Sequence, residues 1–280
     1  MSDFAIFTDS AADLSESYVK INDITVIPYY ITFGGLNYFR ENVDLTHDEF
    51  YSQISRGIIP QTTSPSVKDY FDAFKTAVDQ GKKVICFCLS SKLASSYKNA
   101  CLAANEFNKW DRVVYVIDSW LASAAQGLLV NEAVHMKYNG LEIEEVVRKS
   151  EEIKKTGEIM FVIDDLTYLE KGGRIGKADA FLGTLLNIKP VIMLKFGELL
   201  PLAKVVGRKN AVAKVKKRAA SNMLKYGNYS STILNFKEIG DVDGFAQGIH
   251  MTMSPFSIGS TIGSHVGTTA AGIAYIKRYD

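Results

Sequence analysis

The chain has 280 residues, 47% of them hydrophobic and 22% charged, and its 32 basic and 31 acidic residues leave a net charge of +1. This balance is ordinary for a globular protein and excludes one that binds nucleic acid through a large positive excess. The three cysteines cannot form a disulfide framework, and Cys86 and Cys88 alone offer a metal too few ligands, so we expect neither.

The amino-terminal residues and the apolar runs give no sign of export or membrane insertion. Met1-Ser2-Asp3 leads straight into an apolar strand, without a basic region or a cleavable apolar segment. No run approaches the ~20 apolar residues that span a bilayer. We therefore expect a cytoplasmic protein with no stable membrane insertion.

The first half of the chain alternates strands with helices. Strands are predicted at 4–7, 24–33, 83–89 and 113–117, and helices after Ser10, Thr46 and Ser66 and at 121–136 and 142–154. Thr46 and Glu49 stand three apart, as in a capping box. This order predicts an α/β domain, residues 1–156, with a mostly parallel sheet and helices on both faces.

Thr8-Asp9-Ser10, at the end of the first strand, has two interpretations. Asp9 or Ser10 suits the N-cap of a following helix. The same three residues would also suit a phosphate or metal site. The cap is the simpler interpretation, and we favour it.

The second half, residues 157–280, predicts an α+β domain with a mixed or antiparallel sheet. Strands are predicted at 159–163 and 231–235, a hairpin at 191–195 and 199–206, and helices after Arg208 and around Phe245 and Ala246. Gly259, Gly263 and Gly267 fall four apart, but glycine inside a soluble helix costs ~1 kcal/mol. We therefore predict two strands in this last segment, with His265 at a bend.

The stretch from Leu166 to Pro190 begins with mostly polar residues and ends with mostly apolar ones. Gly172-Gly173 allows a positive φ or a close approach of the backbone to another surface. Arg174 follows, and its donors suit a carboxylate or a phosphate, although a plain surface arginine fits as well. Apolar residues then recur at helical spacing, and Lys189-Pro190 should end that helix; they are Phe181, Leu182, Leu185, Leu186 and Ile188.

This stretch resembles the pattern L-x-Y-L-x-K-G-G-R-I, followed by K-P, of the DegV family. The matching letters are Leu166, Tyr168, Leu169, Lys171, Gly172, Gly173, Arg174, Ile175, Lys189 and Pro190. The chain also begins with the family's T-D-S-x-x-D-L. The resemblance implies a two-domain α/β fold that holds a long-chain fatty acid in a tunnel between its domains. It further implies a lipid-binding subunit that presents the carboxylate to a separate fatty acid kinase. We expect no catalytic residue and no cofactor.

The resemblance also assigns the carboxylate site, with departures from the family pattern. Thr62 matches the family threonine that meets the carboxylate, and His265 matches the histidine of G-x-H-V-G. Ala94 stands where the family has a carboxylate-binding serine, so Ser95, Ser96 or backbone N–H groups would have to substitute. Local interpretations stay open: turn chemistry for Thr62, helix capping for the serines and a structural role for His265.

Arg174 and Arg208 are assigned to kinase docking or to the phosphate. Because the glycine bend predicts an exposed turn, we expect Arg174 to lie outside the tunnel and its loss to change lipid affinity less than about twofold. The helix after Arg208 carries further basic residues, which form either a solvated face or a surface for an acidic partner; they are Lys214, Lys216, Lys217, Arg218 and Lys225.

Two other functions stay open. A stand-alone hydrolase or phosphotransferase would use Asp9, Ser95 and His265, but the chain has neither a G-x-S-x-G elbow nor a P-loop. A non-lipid small-molecule binding module is the other alternative, since fold does not fix function.

Overall fold

The computed structural model describes residues 4–181, 183, 187–227, 229–235, 244–245 and 249–279. The strands are β1 (Phe4–Asp9), β2 (Ile24–Ile27), β3 (Tyr30–Thr32), β4 (Phe39–Arg40), β5 (Gln61–Thr63), β6 (Lys83–Cys88), β7 (Val114–Asp118), β8 (Glu158–Val162), β9 (Ile188–Lys195), β10 (Glu198–Val206), β11 (Tyr229–Asn235), β12 (Phe256–Ser257) and β13 (Ala271–Lys277). The helices are α1 (Glu16–Ile21), α2 (His47–Ser55), α3 (Val67–Val78), α4 (Ser96–Phe107), α5 (Ser123–Tyr138), α6 (Ile143–Ile153), α7 (Thr167–Lys171), α8 (Arg208–Tyr226) and α9 (Ser260–Val266).

The first sheet is parallel and has the strand order β2-β1-β6-β7. Successive residues of a strand face opposite sides. Cys86 and Cys88 on β6 pack with α3 and α4 on one side, whereas Ile85 and Phe87 pack with α5 and α6 on the other. The predicted parallel sheet with helices on both faces is therefore confirmed.

The second large sheet is mixed, with the order β10-β9-β8-β13-β11-β12. Its neighbours run antiparallel except for the parallel pair β11–β12. The hairpin of β9 and β10 was predicted, and it turns at Phe196-Gly197, both of which have positive φ. A third, small antiparallel sheet has the order β4-β3-β5 and carries Thr62.

Helix α5 lies between the two large sheets and contacts strands of both. Of its 16 residues, 13 are buried, because both of its faces are covered. The largest apolar cluster likewise runs from Phe4 on β1 to Ile276 on β13. The strands change from one sheet to the other after residue 156. Because both halves share one apolar core, the division into domains 1–156 and 157–280 remains a prediction.

Two predicted helix starts are confirmed and one is wrong. Capping boxes join Thr46 to Glu49 and Ser66 to Asp69. Asp9 caps no helix, because its carboxylate accepts hydrogen bonds elsewhere. Ser15 caps α1 instead.

The structure also corrects the stretch that ends at Pro190. Lys189 and Pro190 lie inside strand β9 rather than at the end of a helix. The extended geometry that proline imposes on its predecessor suits a strand equally well. Gly176–Phe181 forms a short 3-10 helix, while Leu182, Leu185 and Leu186 lie outside the described residues.

The last segment contains one of the two predicted strands, β13, but a helix, α9, stands in place of the other, and His265 lies in this helix rather than at a bend. The penalty for glycine applies to a helix interior. Gly259 and Gly267 stand at the two caps, so only Gly263 incurs it. Ala246, named in another predicted helix, lies outside the described residues. No helix among the described ranges is long and apolar enough to cross a membrane.

Candidate functional site

A narrow cavity of about 80 Å³ lies between the two halves of the chain. Among the described residues that line it, six carry polar groups: Tyr29, Thr62, Ser123, Arg174, Thr261 and His265. The other fourteen are apolar: Leu89, Leu93, Ala94, Ala122, Ile159, Phe161, Leu169, Leu194, Leu199, Leu234, Ile258, Ile262, Val266 and Ala270. Residues from both sides of position 156 contribute, so the cavity needs both halves.

The parallel sheet explains why a cavity forms here. Strands β1 and β6 are neighbours at the centre of the sheet. The chain leaves β1 toward β2 at one edge and leaves β6 toward β7 at the opposite edge, so a crevice opens between the carboxyl ends of β1 and β6. Asp9 Oδ2 accepts the Leu89 N–H at 2.8 Å, and Gln126 Nε2 donates to Asp9 Oδ1 at 2.8 Å. Burial raises the pKa of Asp9 to about 6, against the lowering effect of these hydrogen bonds.

Thr62 and His265 meet in the lining, and we call the part of the cavity around this pair its polar end. Thr62 lies on β5 opposite Ile31 of β3, and His265 lies near the end of α9. Thr62 Oγ1 and His265 Nε2 are 2.8 Å apart, although 203 residues separate them in the chain. The structure thus brings together two of the residues assigned to the carboxylate.

The His265 imidazole is neutral at pH 7. Burial, and after it the positive charge of Arg174, lower the pKa of His265 to about 4. Among the described residues, Nδ1 is buried and has no hydrogen-bond partner. No carboxylate therefore orients this ring as in a catalytic triad.

The two glycines of the central stretch perform the two tasks expected of them. Gly173 has φ of +66°. A Cβ on Gly172 would lie 2.3 Å from His265 Nδ1 and 2.9 Å from the Tyr168 carbonyl oxygen. A Cβ on Gly267 would lie 2.6 Å from the Tyr168 ring. The backbone of the stretch is therefore fitted directly against the histidine.

The glycine bend led us to expect Arg174 outside the cavity. This prediction is wrong. Arg174 is half-buried and belongs to the lining. Its Nε donates to the Leu93 carbonyl oxygen at 3.0 Å, and Nη1 donates to that of Gly172 at 2.6 Å. These bonds hold the guanidinium beside the loop that carries Ala94.

Ser95, Ser96 and Arg208 are not part of the lining, whereas Ala94 is. Ser95 is exposed and donates to Ser64 Oγ at 3.2 Å. Ser96 is buried, and its hydroxyl lies near Asp9 and Tyr29. Arg208 pairs with Asp164 at 2.8 Å and donates to the Thr269 carbonyl oxygen at 2.7 Å.

Buried carboxylates hold the beginning of α9. Glu41 is 1% exposed, and it accepts the Thr261 N–H at 2.9 Å and the Thr261 hydroxyl at 2.6 Å. A carboxylate is favourable here because the first N–H groups of a helix have no partner within it. Burial first, and then the Glu41 charge, raise the pKa of Asp13, which accepts a hydrogen bond from Ser123 at 2.5 Å.

Sequence reasoning missed the hydroxyls of Tyr29, Ser123 and Thr261 in the lining. Alternation along the predicted strand 24–33 is the one signal for Tyr29, and nothing local marks the other two. Asp9, Ser95 and His265, the residues of a possible hydrolase, do not bond to one another in the structure. No group of three or more His, Cys, Asp or Glu within the described ranges is arranged to hold a metal.

Solved structures share this architecture over their whole length. A fat acid (stearic acid)-binding protein from Eubacterium ventriosum has a TM-score of 0.90 and 28% identity, with 99% of each chain covered. A structure described as fatty acid binding of a DegV family protein from Thermus thermophilus also has a TM-score of 0.90 and 28% identity, covering 99% of this chain and 100% of that one.

The sequence agrees with the structural likeness. A DegV domain-containing protein of Clostridium perfringens is 32% identical, with 99% of this chain and 98% of that protein covered. The family model described as "Uncharacterised protein, DegV family" matches residues 3–278. The chain therefore belongs to the DegV family.

Proposed function

We propose that this protein binds one long-chain fatty acid in the cavity between the two halves of its chain, with the carboxylate at Thr62 and His265. The observation that carries the proposal is this pair, a hydroxyl and a neutral imidazole 2.8 Å apart within a mostly apolar lining. The fatty-acid-binding descriptions of the structures from Eubacterium ventriosum and Thermus thermophilus support it.

The free energy of binding depends strongly on the contacts of the carboxylate head group. Burying roughly 14 methylenes at ~0.8 kcal/mol each yields ~11 kcal/mol. Association and ordering take back ~4–15 kcal/mol, and a carboxylate buried without partners adds a further cost. Chain burial alone therefore gives modest affinity. Retention depends on the hydroxyl of Thr62, the ring of His265 and the positive charge of Arg174.

We also propose that the bound carboxylate is presented to the catalytic subunit of a separate fatty acid kinase. A carboxylate oxygen would attack the terminal phosphoryl group of a nucleoside triphosphate, the diphosphate would leave, and an acyl phosphate would form. Arg174 supports this step. Two of its five N–H donors bind Leu93 and Gly172, and the others remain for developing phosphoryl charge.

The lipid part is tested first. Organic extraction of the purified protein and mass spectrometry should reveal a long-chain fatty acid, and delipidated protein should bind oleate or palmitate. Thr62→Val should weaken oleate binding at least fivefold. Thr63→Val, which changes the exposed neighbour on the same strand, should not. An extract without lipid and no affinity for either acid would contradict the proposal and favour a non-lipid binding module.

The kinase part has its own test. Oleate-loaded protein, mixed with ATP and the catalytic subunit of a fatty acid kinase, should yield acyl phosphate, and omission of this protein should abolish the product. A loaded protein that yields none would overturn only this part.

A further inference from the structure

The carboxylate site is one donor short on the side where Ala94 lines the cavity. A carboxylate has two oxygens that accept hydrogen bonds, and an alanine side chain offers it nothing. Ser95 and Ser96, which follow Ala94, lie outside the lining. Some other group on this side has to supply a hydrogen bond if the head group is to be satisfied.

Tyr29 is a second polar group of the lining, beside His265 Nδ1, that lacks a partner among the described residues. The residue is 1% exposed, and its hydroxyl makes no hydrogen bond within the described part of the chain. The hydroxyls of Ser64 and Ser96 lie near it without bonding to it. A buried hydroxyl without a partner is uncommon and destabilising. A partner supplied by a ligand explains why the group is there.

Tyr29 and Ser64 follow on from a pair of antiparallel strands. Tyr30 pairs with Thr63 and Ile31 with Thr62, Tyr29 and Ser64 are the next residues of the two segments, and the Ser64 hydroxyl lies near that of Tyr29. Side chains alternate along a strand, so Tyr29 and Ile31 share the inner face with Thr62. Tyr30 points away, and its hydroxyl donates to Asp69 at 3.0 Å.

The loop of Ala94 adjoins the same point. Ser95 donates to Ser64 Oγ at 3.2 Å, which links the residue after Ala94 to the serine near Tyr29. Tyr29, Thr62 and Ala94 all line the cavity, and this bond joins the segments that carry them.

We infer that the Tyr29 hydroxyl donates a hydrogen bond to the carboxylate of the bound fatty acid and so replaces the donor that Ala94 lacks. The inference rests on the proposed function and names a further residue of the same site. Burial, followed by the charge of Asp9, raises the pKa of Tyr29 well above its usual value, so the hydroxyl keeps its proton.

Tyr29→Phe tests the inference, because it removes one oxygen and little else. The dissociation constant of oleate from delipidated protein should rise about tenfold, equal to ~1.4 kcal/mol. Binding of 1-octadecene, which has no head group to accept a hydrogen bond, should change less than about twofold. The melting temperature without ligand should hold or rise, because no bond within the protein is lost.

Two further variants make the test specific. Tyr30→Phe removes the neighbouring hydroxyl on the outer face and should leave oleate affinity unchanged. Ala94→Ser, added to Tyr29→Phe, should restore most of the loss by returning a donor to the site. Wild-type affinity in Tyr29→Phe alone would overturn the inference, whereas a wild-type protein that binds no fatty acid would overturn the proposed function itself.

Discussion

The two sides of the cavity's polar end are built differently. On the carboxy-terminal side, the backbone of Gly172 lies against the ring of His265. The buried carboxylate of Glu41, from the amino-terminal half, holds the start of the helix that carries this histidine. On the amino-terminal side, single hydroxyls on Thr62 and Tyr29 stand beside Ala94. The difference teaches that side-chain hydroxyls form one side and close backbone contacts the other, so we expect substitutions to act more strongly around the histidine.

Gly172→Ala should break the carboxy-terminal side most severely. The new methyl group would lie 2.3 Å from His265 Nδ1, so the ring or the turn must move. Overpacking of this kind costs ~1–3 kcal/mol. We expect oleate affinity, measured by calorimetry, to fall more than about thirtyfold.

Gly173→Ala is the matched control for that variant. A Cβ there meets nothing within 4 Å, although φ of +66° strains any other residue. It should lower the melting temperature but change affinity less than about threefold. Equal affinities in the two variants would show that space around His265 does not matter.

Arg174→Ala should have the next largest effect. Because the guanidinium lines the cavity beside His265, we now expect a three- to tenfold loss of oleate affinity, in place of the twofold limit suggested by the sequence. Acyl-phosphate formation with a cognate kinase should fall at least tenfold, ~1.4 kcal/mol in the barrier. Arg208→Ala, which breaks a pair with Asp164 away from the lining, should leave oleate affinity unchanged.

Glu41→Gln should weaken oleate binding less than the variants of Gly172 and Arg174 do, and Glu132→Gln is its matched control. Both glutamates are 1% exposed, and each accepts one hydroxyl and one backbone N–H. Only Glu41 holds the helix of His265, so only its variant should weaken oleate binding, about three- to fivefold. Both variants should lose similar stability in urea. Equal affinities would mean that Glu41 acts on stability alone.

The smallest effect expected is that of pH on oleate affinity between pH 6.5 and 8. With its pKa lowered to about 4, His265 is neutral throughout this range, so affinities measured at the two ends should agree within about twofold. An imidazolium would attract the carboxylate. A marked rise in affinity toward pH 6.5 would therefore show that the ring titrates nearer its ordinary value.

The lowered pKa of His265 also makes the stability of the fold depend on pH. The unfolded chain protonates His265 near pH 6.5 and the folded chain only near 4, so this contribution is lost as pH falls from 6.5 through 4. Asp9, with its pKa raised from 3.8 to about 6, contributes stability that is lost as pH rises through that window. The difference between wild type and His265→Gln in urea isolates the histidine, and it should widen with rising pH.

Sequence patterns predicted the two large sheets, but not the small one, in which β3 is part of a segment predicted as a single strand, 24–33. Alternation and caps located β1, β6 and α3, and the resemblance paired Thr62 with His265. The helix of His265 was missed because two of its three glycines stand at caps, where their cost does not apply. Which way Ser96 and Arg174 point depends on packing across the cavity. The bond from Thr261 to Glu41 spans 220 residues and has no local pattern.

Strand β13 lies in the middle of the mixed sheet, between β8 and β11, although it is made after both. Residues from Val162 to Ala271 must be synthesised before this pairing can begin. Pairing between such distant segments is slow, and the waiting strands expose edges that can join other chains. The yield of soluble protein should therefore depend on temperature and chain concentration during expression more than on the stability of the finished fold.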